Sequence, residues 1–523
     1  MNLPLRRPGK QPALRLAAAV DFTGGLNLAE DRFTLGENES PAMSNVDVQR
    51  RGGIQSRKTV QPWGDPEVWG LGVSRIFNHT DAVGGSPQLL VCNVGVAHFG
   101  TGGAWTPLSI FLSHTDHCQL NDVSYLVSNL ALTYVWDGAT LTAMTDSHGA
   151  YQNDYSVPSG SHAPKANVCA QHLGYVWMAD IDEGGTRHPS RVRVSHPNDG
   201  GSWAEDDWVD IAVGDGEAIQ RLIPFRDHLL VIKETSTWAI YGYDRSTFTP
   251  VQVSSTVGAT NYHAVAASPE AVWIFSADRG LYAWDGTQMH WVFEKLYPAL
   301  RDGDFAAAAL DEVQVGWVRD RVWVRIEGAN GDVATYPFDP QLGAWTKYDL
   351  DITTITTYED SNGTQTVVAS TGAADHIVAL EQGGASDDFG DGAVDIESFY
   401  STPWMDGGNP FVPKRWKRPE FVLRAASTHA IQVDVFQDYE ANSVYSQFQL
   451  DIEAAATGGM LWGTGVWGTG VWGGSGGVSD VIERGGSIGG TGRALMFCLK
   501  GPTSVQWEVR GFTLKYRPKN PRS

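Results

Sequence analysis

The chain has 523 residues, of which 42% are apolar, with 59 glycines and 20 tryptophans, a composition that favours an all-β protein with many turns. Its net charge of −22 argues against a reader of nucleic-acid sequence, because such proteins present basic surfaces to phosphates. The apolar run Leu16 to Val20 is too short for a secretion signal, and no later segment reaches membrane-spanning length, so no membrane anchor is expected.

The four cysteines lack the CxxC pairs and spacings of metal or disulfide frameworks. They are expected to be small buried side chains of a protein made in a reducing cytosol: Cys92, Cys118, Cys169 and Cys498. The glycine-rich stretch Gly485 to Gly490 is followed by no helix or P-loop lysine. No cofactor is therefore predicted.

The N-terminal residues 1–64 are interpreted as an arm followed by a hairpin. Residues 1 to about 20 contain proline and arginine with little apolar periodicity, which is typical of an arm that is ordered only against a partner. Val46 to Gln49 and Ile54 to Val60 are two extended runs separated by a glycine pair, and they predict the hairpin.

Four short motifs occur in order along this segment: a Gly-Gly-Leu-Asn start, a Glu-Ser-Pro step, an Asn-Val-Asp strand, and a Gly-Gly-Ile turn that leads to arginine and lysine. They comprise Gly24, Gly25, Leu26, Asn27, Glu39, Ser40, Pro41, Asn45, Val46, Asp47, Gly52, Gly53, Ile54, Arg57 and Lys58. Over these roughly forty residues the chain resembles the tail nozzle, or tail tubular B-like, proteins of short-tailed bacteriophages. The resemblance implies six copies in a ring at the distal end of a tail, docked onto an adaptor ring and retaining the genome until ejection.

Residues 65–386 are interpreted as a β-propeller of about six to seven blades. Its clearest unit is Ala271 to Val292, in which Val272 to Phe275, Leu281 to Trp284 and Met289 to Val292 are three extended runs joined by two tight turns. One such meander leaves an apolar face exposed to water, so it must stack on copies of itself.

The copies are found by aligning the central strand and its closing acidic turn. Tyr134 to Gly138 repeats Tyr282 to Gly286 almost residue for residue. Together with Ala271 to Val292, the units are Leu89 to Leu108, Ser124 to Met144, Tyr175 to Trp208, Leu229 to Val253, Val322 to Tyr348 and Thr366 to Leu380. This spacing is typical of propeller blades, and an array of two-sheet sandwiches is the alternative.

One blade departs from the pattern between Trp177 and Trp208. Its acidic and glycine-rich stretch Asp180 to Gly185 predicts a long loop. The stretch Ser195 to Trp203 resembles part of the aspartate box of sialidase-like propellers, which is a structural element, and we interpret it as a tight turn.

Residues 387–523 are interpreted as a β-sandwich behind a glycine- and aspartate-rich linker. Strands are predicted at Val394 to Tyr400, Arg418 to Arg424, Ala430 to Gln437, Tyr445 to Ile452, Ala494 to Lys500 and Ser504 to Lys515. Alternation is clean from Ile431 to Phe436, where Ile431, Val433 and Val435 are expected to face the core.

A Trp/Gly loop at residues 458–474 interrupts this sandwich, with the unit WGTGV repeated every five residues. Its tryptophans, Trp462, Trp467 and Trp472, are the predicted anchors of a contact with another subunit or of a tube tip. Stacking on single-stranded bases is the alternative, but no lysine or arginine lies between Ala455 and Ile482 to hold phosphates.

Two basic clusters belong to the same domain. They contain Lys414, Arg415, Lys417 and Arg418, and Arg517 and Lys519. In an acidic protein they are either solvated faces or contacts with the acidic flank of an identical neighbour in a ring.

Candidate metal ligands are few. His114, His117 and Cys118 lie close together in sequence, but a strand aims neighbouring ligands apart, and we interpret them as surface residues before a blade strand. Asp387, Asp388 and Asp391 lack the spacing of a calcium loop and are expected in a solvated linker. No metal site is predicted.

The sequence thus predicts a non-enzymatic structural protein of a phage tail, assembled in the bacterial host and present in the virion. It would form a homo-oligomeric ring, bind an adaptor and other tail proteins, and present an acidic wall that lets DNA pass without sticking. The main alternative is a carbohydrate-binding or glycoside-cleaving propeller of a tail fibre or cell surface, with the loop tryptophans as sugar platforms and a carboxylate pair on the propeller axis. A scaffold propeller that binds peptides is a further alternative.

Overall fold

The protein is described by a computed structural model. It covers residues 13–31, 33–64, 73–80, 87–93, 97–101, 104–108, 115–128, 132–144, 164–183, 185–372, 377–384, 386–390, 392–425, 427–453, 459–460, 471–472, 479–503 and 505–519. Strands make up 56% and helices 3% of the structure, which confirms the all-β class and the propeller.

Seven four-stranded antiparallel sheets form the blades of the propeller. Blade 1 contains Val73–His79, Gln88–Asn93, Ala97–Thr101 and Ala104–Pro107; blade 2, Thr115–Leu120, Val123–Ser128, Tyr134–Trp136 and Leu141–Ala143; blade 3, Lys165–His172, Tyr175–Glu183, Thr186–His196 and Asp199–Asp210; blade 4, Ile219–Phe225, His228–Lys233, Thr237–Tyr241 and Thr249–Ser254. Blade 5 contains Val265–Ala267, Val272–Ser276, Gly280–Trp284 and Met289–Trp291; blade 6, Gln314–Val318, Arg321–Glu327, Val333–Asp339 and Ala344–Trp345; blade 7, Ile352–Glu359, Gln365–Thr371, Ile377–Gln382 and Thr59–Pro62.

The blades close into a ring around one axis. The first strand of each blade contacts the first strand of the next, and Ile352–Glu359 of blade 7 contacts Val73–His79 of blade 1. Thr59–Pro62, from the N-terminal part of the chain, is the outermost strand of blade 7, where it pairs with Ile377–Gln382. The ring is therefore closed by strands from both ends of the propeller sequence, which leaves no open seam.

Neighbouring blades are held together by shared apolar cores. Leu90 and Cys92 of blade 1, for example, pack with Leu126 and Trp136 of blade 2. Similar clusters join blades 2 and 3, 3 and 4, 6 and 7, and 7 and 1, and a larger cluster joins blades 4 to 6 to the sandwich. Stacking between blades thus buries the face that a single meander leaves bare.

In blades 1 to 6 the predicted unit corresponds to the second, third and fourth strands, and the first strand was missed. In blade 7 the unit Thr366 to Leu380 contains only the second and third strands, because the fourth is Thr59–Pro62. In blade 5 the missed strand is Val265–Ala267, which has only three residues and no alternation of polar and apolar side chains. It pairs with Val272–Ser276, with Val265 opposite Ile274.

Blade 3 has long strands where the sequence predicted a long loop. Tyr175–Glu183 and Thr186–His196 continue their ladder to the hairpin at Gly185, with a register shift beside Asp180. The prediction of a long loop at Asp180 to Gly185 was wrong, because Asp180 to Glu183 are strand residues, and Asp180 and Glu183 have arginine partners. The predicted tight turn at Ser195 to Trp203 agrees with the structure, in which Asn198 has a φ of 58° and His196 pairs with Asp199.

Three short helices connect blades 5 and 6: a 3₁₀-helix at Glu294–Leu296, an α-helix at Tyr297–Arg301 and a 3₁₀-helix at Ala307–Glu312. In the described part of the chain, no helix is long and apolar enough to cross a membrane. All four cysteines are buried thiols, as predicted.

The second part of the molecule is a sandwich of two sheets. One sheet contains Arg15–Val20, Val46–Val48, Ile54–Ser56, Lys414–Trp416, Glu420–Ala425, Ser479–Arg484 and Glu508–Pro518; the other contains Met43–Ser44, Phe399–Ser401, His429–Gln437, Ser446–Ile452 and Leu495–Lys500. Phe497 of the five-stranded sheet packs between the sheets, 6.0 Å from Phe421 and 5.6 Å from Phe512 of the other by ring centroids. Smaller pairs are Gly25–Leu26 with Glu39–Ser40, Ser386–Asp388 with Ala393–Asp395, and Gly459–Met460 with Val471–Trp472.

The N-terminal segment contributes strands to both parts of the molecule rather than forming a separate arm. Arg15–Val20 pairs with Glu508–Pro518 of the sandwich, whereas Thr59–Pro62 belongs to blade 7. The expectation of an arm up to residue 20 therefore fails over Arg15–Val20, because this strand has a long-range partner that local composition does not reveal. Residues 1–12 lie outside the described residues.

Candidate functional site

The residues that carry the phage-nozzle resemblance lie where the propeller meets the sandwich. We call this segment, Gly24 to Lys58, the junction. Its apolar side chains, including Leu26, Val46 and Ile54, belong to the core cluster shared by blades 4 to 6 and the sandwich. Its polar side chains make the specific contacts between the two parts.

Asn45 connects three segments of the chain. Its Nδ2 donates to the carbonyl of Glu397 at 2.8 Å, and its Oδ1 accepts from the backbone N–H of Asp349 at 2.9 Å and from Nε of Arg57 at 2.8 Å. Its own N–H donates to the carbonyl of Lys347 at 2.8 Å. The φ of 54° at this residue lies in the left-handed region, which asparagine tolerates better than most residues.

Asp47 holds the sandwich to blade 6. Its Oδ1 accepts from Nη1 of Arg321 at 2.7 Å and from the hydroxyl of Tyr348, and Asp47 itself is buried. Attraction to Asp47 raises the pKa of Arg321, whose burial acts in the opposite direction. Burial, and then repulsion from Asp47, raises the pKa of Tyr348 well above its usual value. Arg321 and Tyr348 therefore remain protonated hydrogen-bond donors at neutral pH.

Arg57 and Asp387 form a two-pronged ion pair whose side chains are 4% and 5% exposed. Nη1 of Arg57 donates to Oδ1 of Asp387 at 2.9 Å, Nη2 donates to Oδ2, and the backbone N–H of Val60 donates to Oδ1 at 2.9 Å. The expectation that Asp387 lies in a solvated linker was wrong, because this aspartate neutralises a buried arginine. Asp388 accepts from the N–H of Gly390 at 2.9 Å, and Asp391 lies outside the described residues.

Glu39 makes the contact to the connection between blades 5 and 6. It accepts from Nζ of Lys295 at 3.0 Å and from Nδ2 of Asn27 at 2.8 Å. Burial raises the pKa of Glu39, but these hydrogen bonds outweigh burial and leave the pKa lowered. Nearby, Gly25 has a φ of 65°, and a side chain there would come 2.5 Å from the carbonyl oxygen of Trp345. Only glycine fits this approach.

The predicted basic clusters are brought together by the seven-stranded sheet. Lys414–Trp416 pairs with the end of Glu508–Pro518, so that Arg415 lies directly opposite Arg517. Arg415, Arg418 and Lys519 are exposed, and Lys417 and Arg517 are half-buried. We call these five residues the basic face.

Lys414 does not belong to this face. It is 1% exposed, and its Nζ donates to the carbonyls of Asn409, Val412 and Arg493 at 2.5 to 2.9 Å. Burial lowers the pKa of Lys414, and the three carbonyl acceptors compensate for its lost hydration. The prediction of a surface role for Lys414 is corrected, because alternation along the strand turns it inward beside exposed Arg415.

The predicted tryptophan anchors cannot be placed in this geometry. Trp462 and Trp467 lie outside the described residues, and for Trp472 only the backbone is described, in a parallel pair with Met460.

Three charged side chains, none of which was predicted as a site residue from the sequence, also meet at the propeller axis. Arg221 of blade 4 donates from Nη1 to Oδ1 of Asp116 of blade 2 at 2.5 Å. Arg75 of blade 1 donates from Nη2 to the carbonyl of Tyr262 at 3.4 Å, with its guanidinium carbon 5.0 Å from the ring centroid of Tyr262. A charged residue near the start of a blade's first strand was the available signal, but no local feature separates it from a surface arginine.

The candidate metal ligands near this axis are used in packing. Asp116 is buried and His117 is half-buried, with its ring stacked on Phe77 at 4.9 Å and its Nε2 2.9 Å from the hydroxyl of Ser124. Burial lowers the pKa of His117 to about 4, so its imidazole is neutral at pH 7. His117 is thus a packed strand residue rather than the predicted surface residue, while His114 lies outside the described residues. Among the described residues, no group of three His, Cys, Asp or Glu side chains could hold a metal ion.

Comparisons with known proteins bear on the architecture. No family model and no curated protein matches the chain. Among solved structures, it resembles YCF48 bound to D1 peptide, with 15% identity over 51% of this chain and 79% of that chain and a TM-score of 0.34. It also resembles the Pan2 WD40 domain of Neurospora crassa, with 7% identity, 62% and 97% coverage and a TM-score of 0.37. A mutant puromycin hydrolase complexed with PGG has 10% identity, 67% and 61% coverage and a TM-score of 0.35. These similar structures thus include an enzyme beside other propeller proteins.

Proposed function

We propose that this chain is a structural subunit of a short phage tail. In this proposal several copies, six by the resemblance, form a ring around the path of DNA ejection, dock onto an adaptor and retain the genome. The chain breaks no bond, acts in the virion and is assembled in the host cytoplasm. Its function is to form part of the wall of the ejection channel, to keep its shape under mechanical force and to bind neighbouring subunits.

The observation that carries the proposal is the placement of the resembling residues. Asn45, Asp47 and Arg57 are buried and contact the propeller or the segment that follows it. The similarity to nozzle proteins therefore concerns residues that join the propeller to the sandwich. A subunit of a conduit needs such a joint, because force applied to one part must be transmitted to the other.

The propeller axis is too crowded to be the DNA path. Its seven first strands contact one another around the ring, and Arg75, Asp116 and Arg221 extend into the space between them. In our proposal DNA passes between copies of the chain rather than through a propeller. The net charge of −22 on each copy would keep the duplex from adhering to such a wall.

The basic face supports a head-to-tail arrangement of copies. Arg415 lies opposite Arg517 on the adjacent strand, and Arg415, Arg418 and Lys519 are exposed on this face. These exposed cations are available for contact with an acidic partner. The rest of the same chain is acidic, so a second copy offers suitable charge.

The proposal is tested by co-expressing the chain with the tail proteins encoded beside it. Negative-stain microscopy and light scattering of the purified material should show rings, and six copies of a 56.8 kDa chain give about 340 kDa. Arg415→Glu with Arg418→Glu should reduce the ring fraction at least tenfold, whereas Arg301→Glu, at an exposed propeller position, should not. Monomers under all conditions that bind or cleave a polysaccharide would reject the proposal in favour of a carbohydrate-active propeller.

A further inference from the structure

Two cavities lie near the propeller axis. Three arginines that line or adjoin them have a carboxylate partner. Arg187 donates to Asp180 at 2.7 Å, Arg221 donates to Asp116 at 2.5 Å, and Arg325 donates to Asp351 at 2.5 Å. These pairs cancel their charges locally.

Arg75 differs from them. Within the described part of the chain it has no ion pair, and its Nε is buried without a hydrogen-bond partner. The Nε of Arg221 is likewise buried and unpartnered within the described residues. Within the described residues, two guanidinium groups thus share one nearby carboxylate, Asp116, which leaves one of the two positive charges without a counter-charge there.

The pKa of Arg75 reflects the same excess of positive charge. Burial, and then repulsion from Arg221, lowers the pKa of Arg75 to about 10, and Asp116 offsets this effect only in part. His117, the residue after Asp116 in the same strand, is neutral at pH 7 because burial lowers its pKa to about 4, so it adds no positive charge. A bound anion would restore the balance that protein groups leave open.

Space for a small ligand is present on both sides of Arg75. A cavity of about 40 Å³ is lined by Arg75, His263 and residues of blades 6 and 7. A second cavity, of about 150 Å³, is lined by Tyr262, on whose ring Arg75 lies, and by residues of blades 3 and 4. The smaller cavity has room for about three water molecules or an anion of three to four heavy atoms.

β-Bulges accompany both arginines. The pairing register of the first strand shifts between Val73 and Arg75 in blade 1, and between Ile219 and Arg221 in blade 4. Bulges at such positions re-aim side chains and are common beside functional sites. Blades 1 and 4 thus share an irregularity that precedes an arginine directed to the axis.

We propose that Arg75, assisted by Arg221, forms a binding site on the propeller axis for one small carboxylate anion of the size of formate or acetate. A planar carboxylate matches the fork of a guanidinium group, and a single negative charge balances the excess. A dianion such as sulfate would overcompensate the charge and is expected to bind more weakly. The inference is independent of ring assembly.

The test uses the full-length chain and saturation-transfer NMR with acetate as the probe, at constant ionic strength maintained with sodium chloride. Saturable binding is expected for the wild type. Arg75→Gln should weaken it at least tenfold, and Arg187→Gln, which removes a paired arginine from the larger cavity, should leave it within about twofold. Thermal unfolding of each variant verifies that it is folded.

A second variant predicts a gain rather than a loss, so it does not depend on a damaged fold. Asp116→Asn removes the carboxylate that competes for the guanidinium groups, and acetate should bind it several-fold more tightly. Sulfate, titrated in parallel, should not displace acetate at equal concentration. Equal acetate binding by wild type and Arg75→Gln, or the absence of saturable binding by both wild type and Asp116→Asn, would overturn the proposal.

Discussion

The junction and the propeller axis both contain buried or half-buried arginines, but these arginines differ in their carboxylate partners. At the junction, Arg57 has both prongs on Asp387, and Arg321 has Asp47. At the axis, Arg221 forms an ion pair with Asp116, and Arg75 has no ion pair within the described residues. A buried ion pair with full hydrogen bonding holds two segments together, whereas an uncompensated buried charge is available to a ligand.

One molecule thus contains charged residues that stabilise the fold, at the junction, and charged residues that we assign to ligand binding, at the axis. The junction contacts join segments that are far apart in sequence, as in the Arg57–Asp387 pair, and they exclude water. The axial arginines adjoin cavities instead. The following predictions test whether the junction pairs are structural and whether other charges are dispensable for folding.

The largest effect is expected when one member of the most buried pair is removed. Asp387→Ala leaves the guanidinium of Arg57 buried without its carboxylate, and should lower the free energy of unfolding by about 3 to 5 kcal/mol. Chemical denaturation followed by tryptophan fluorescence measures the change. Asp388→Ala, one residue away and outside the ion pair, is the matched control and should cost about 1 kcal/mol or less.

The double variant Arg57→Met with Asp387→Leu sharpens this test. Replacing both charges by apolar side chains of similar size should recover most of the lost stability, because no unpaired charge remains. Equal losses in Asp387→Ala and Asp388→Ala would mean that the ion pair does not stabilise the junction.

A smaller effect is expected at Asn45, whose side chain has neutral partners as well as Arg57. Asn45→Ala removes hydrogen bonds to Glu397, Asp349 and Arg57 and places alanine at positive φ, which should cost about 3 kcal/mol. Asn45→Asp keeps the acceptor for Asp349 and Arg57 and loses only the donor, so it should retain more stability than alanine. The two variants are compared by thermal unfolding, and the reverse order would contradict the assigned contacts.

These residues also show what the sequence could and could not predict. The propeller was predictable because its second to fourth strands repeat local patterns such as Tyr134 to Gly138 and Tyr282 to Gly286. The first strand Val265–Ala267 was not, since three small residues carry no periodicity. Strand Thr59–Pro62 closes blade 7 by pairing with residues more than 300 positions away, which no local pattern reveals.

Prediction of the site residues also failed because their environment depends on the three-dimensional structure rather than on local sequence. Asp387 has the composition of a solvated turn, and only its distant partner Arg57 makes it a buried residue. Lys414 and Arg415 are adjacent basic residues in sequence, but strand alternation buries one and exposes the other. Arg75 lies near the start of a strand, but no local feature separates it from a surface arginine, because its environment depends on Arg221 and Asp116 of other blades.

The pH dependence of stability should reveal the neutral imidazole beside the axis. Burial lowers the pKa of His117 in the folded state to about 4, whereas in the unfolded chain it is about 6.5. As pH falls from about 6.5 to about 4, the unfolded state binds the proton first, so folding stability is lost across this window. The loss should be at most about 3 kcal/mol, the free energy that corresponds to the difference between the two pKa values.

The contribution of His117 is isolated by the difference between wild type and His117→Gln in urea denaturation at each pH. This difference should grow between pH 6.5 and 4 and then level off. His290→Gln, which removes an exposed imidazole, should leave the wild-type loss in that window largely intact. A pH-independent difference between wild type and His117→Gln would show that His117 is protonated alike in both states.

The smallest effect on stability is expected at the basic face, whose residues are exposed or half-buried. Arg415 is exposed, so Arg415→Gln should change the free energy of unfolding by less than about 0.5 kcal/mol. Urea denaturation measures it beside Arg301→Gln, at an exposed propeller arginine. If charge reversal at Arg415 and Arg418 abolishes rings while Arg415→Gln stays as stable as wild type, the loss belongs to the contact between subunits. A destabilisation of about 2 kcal/mol or more by Arg415→Gln would instead place this arginine, like Arg57, among the charges that hold the fold.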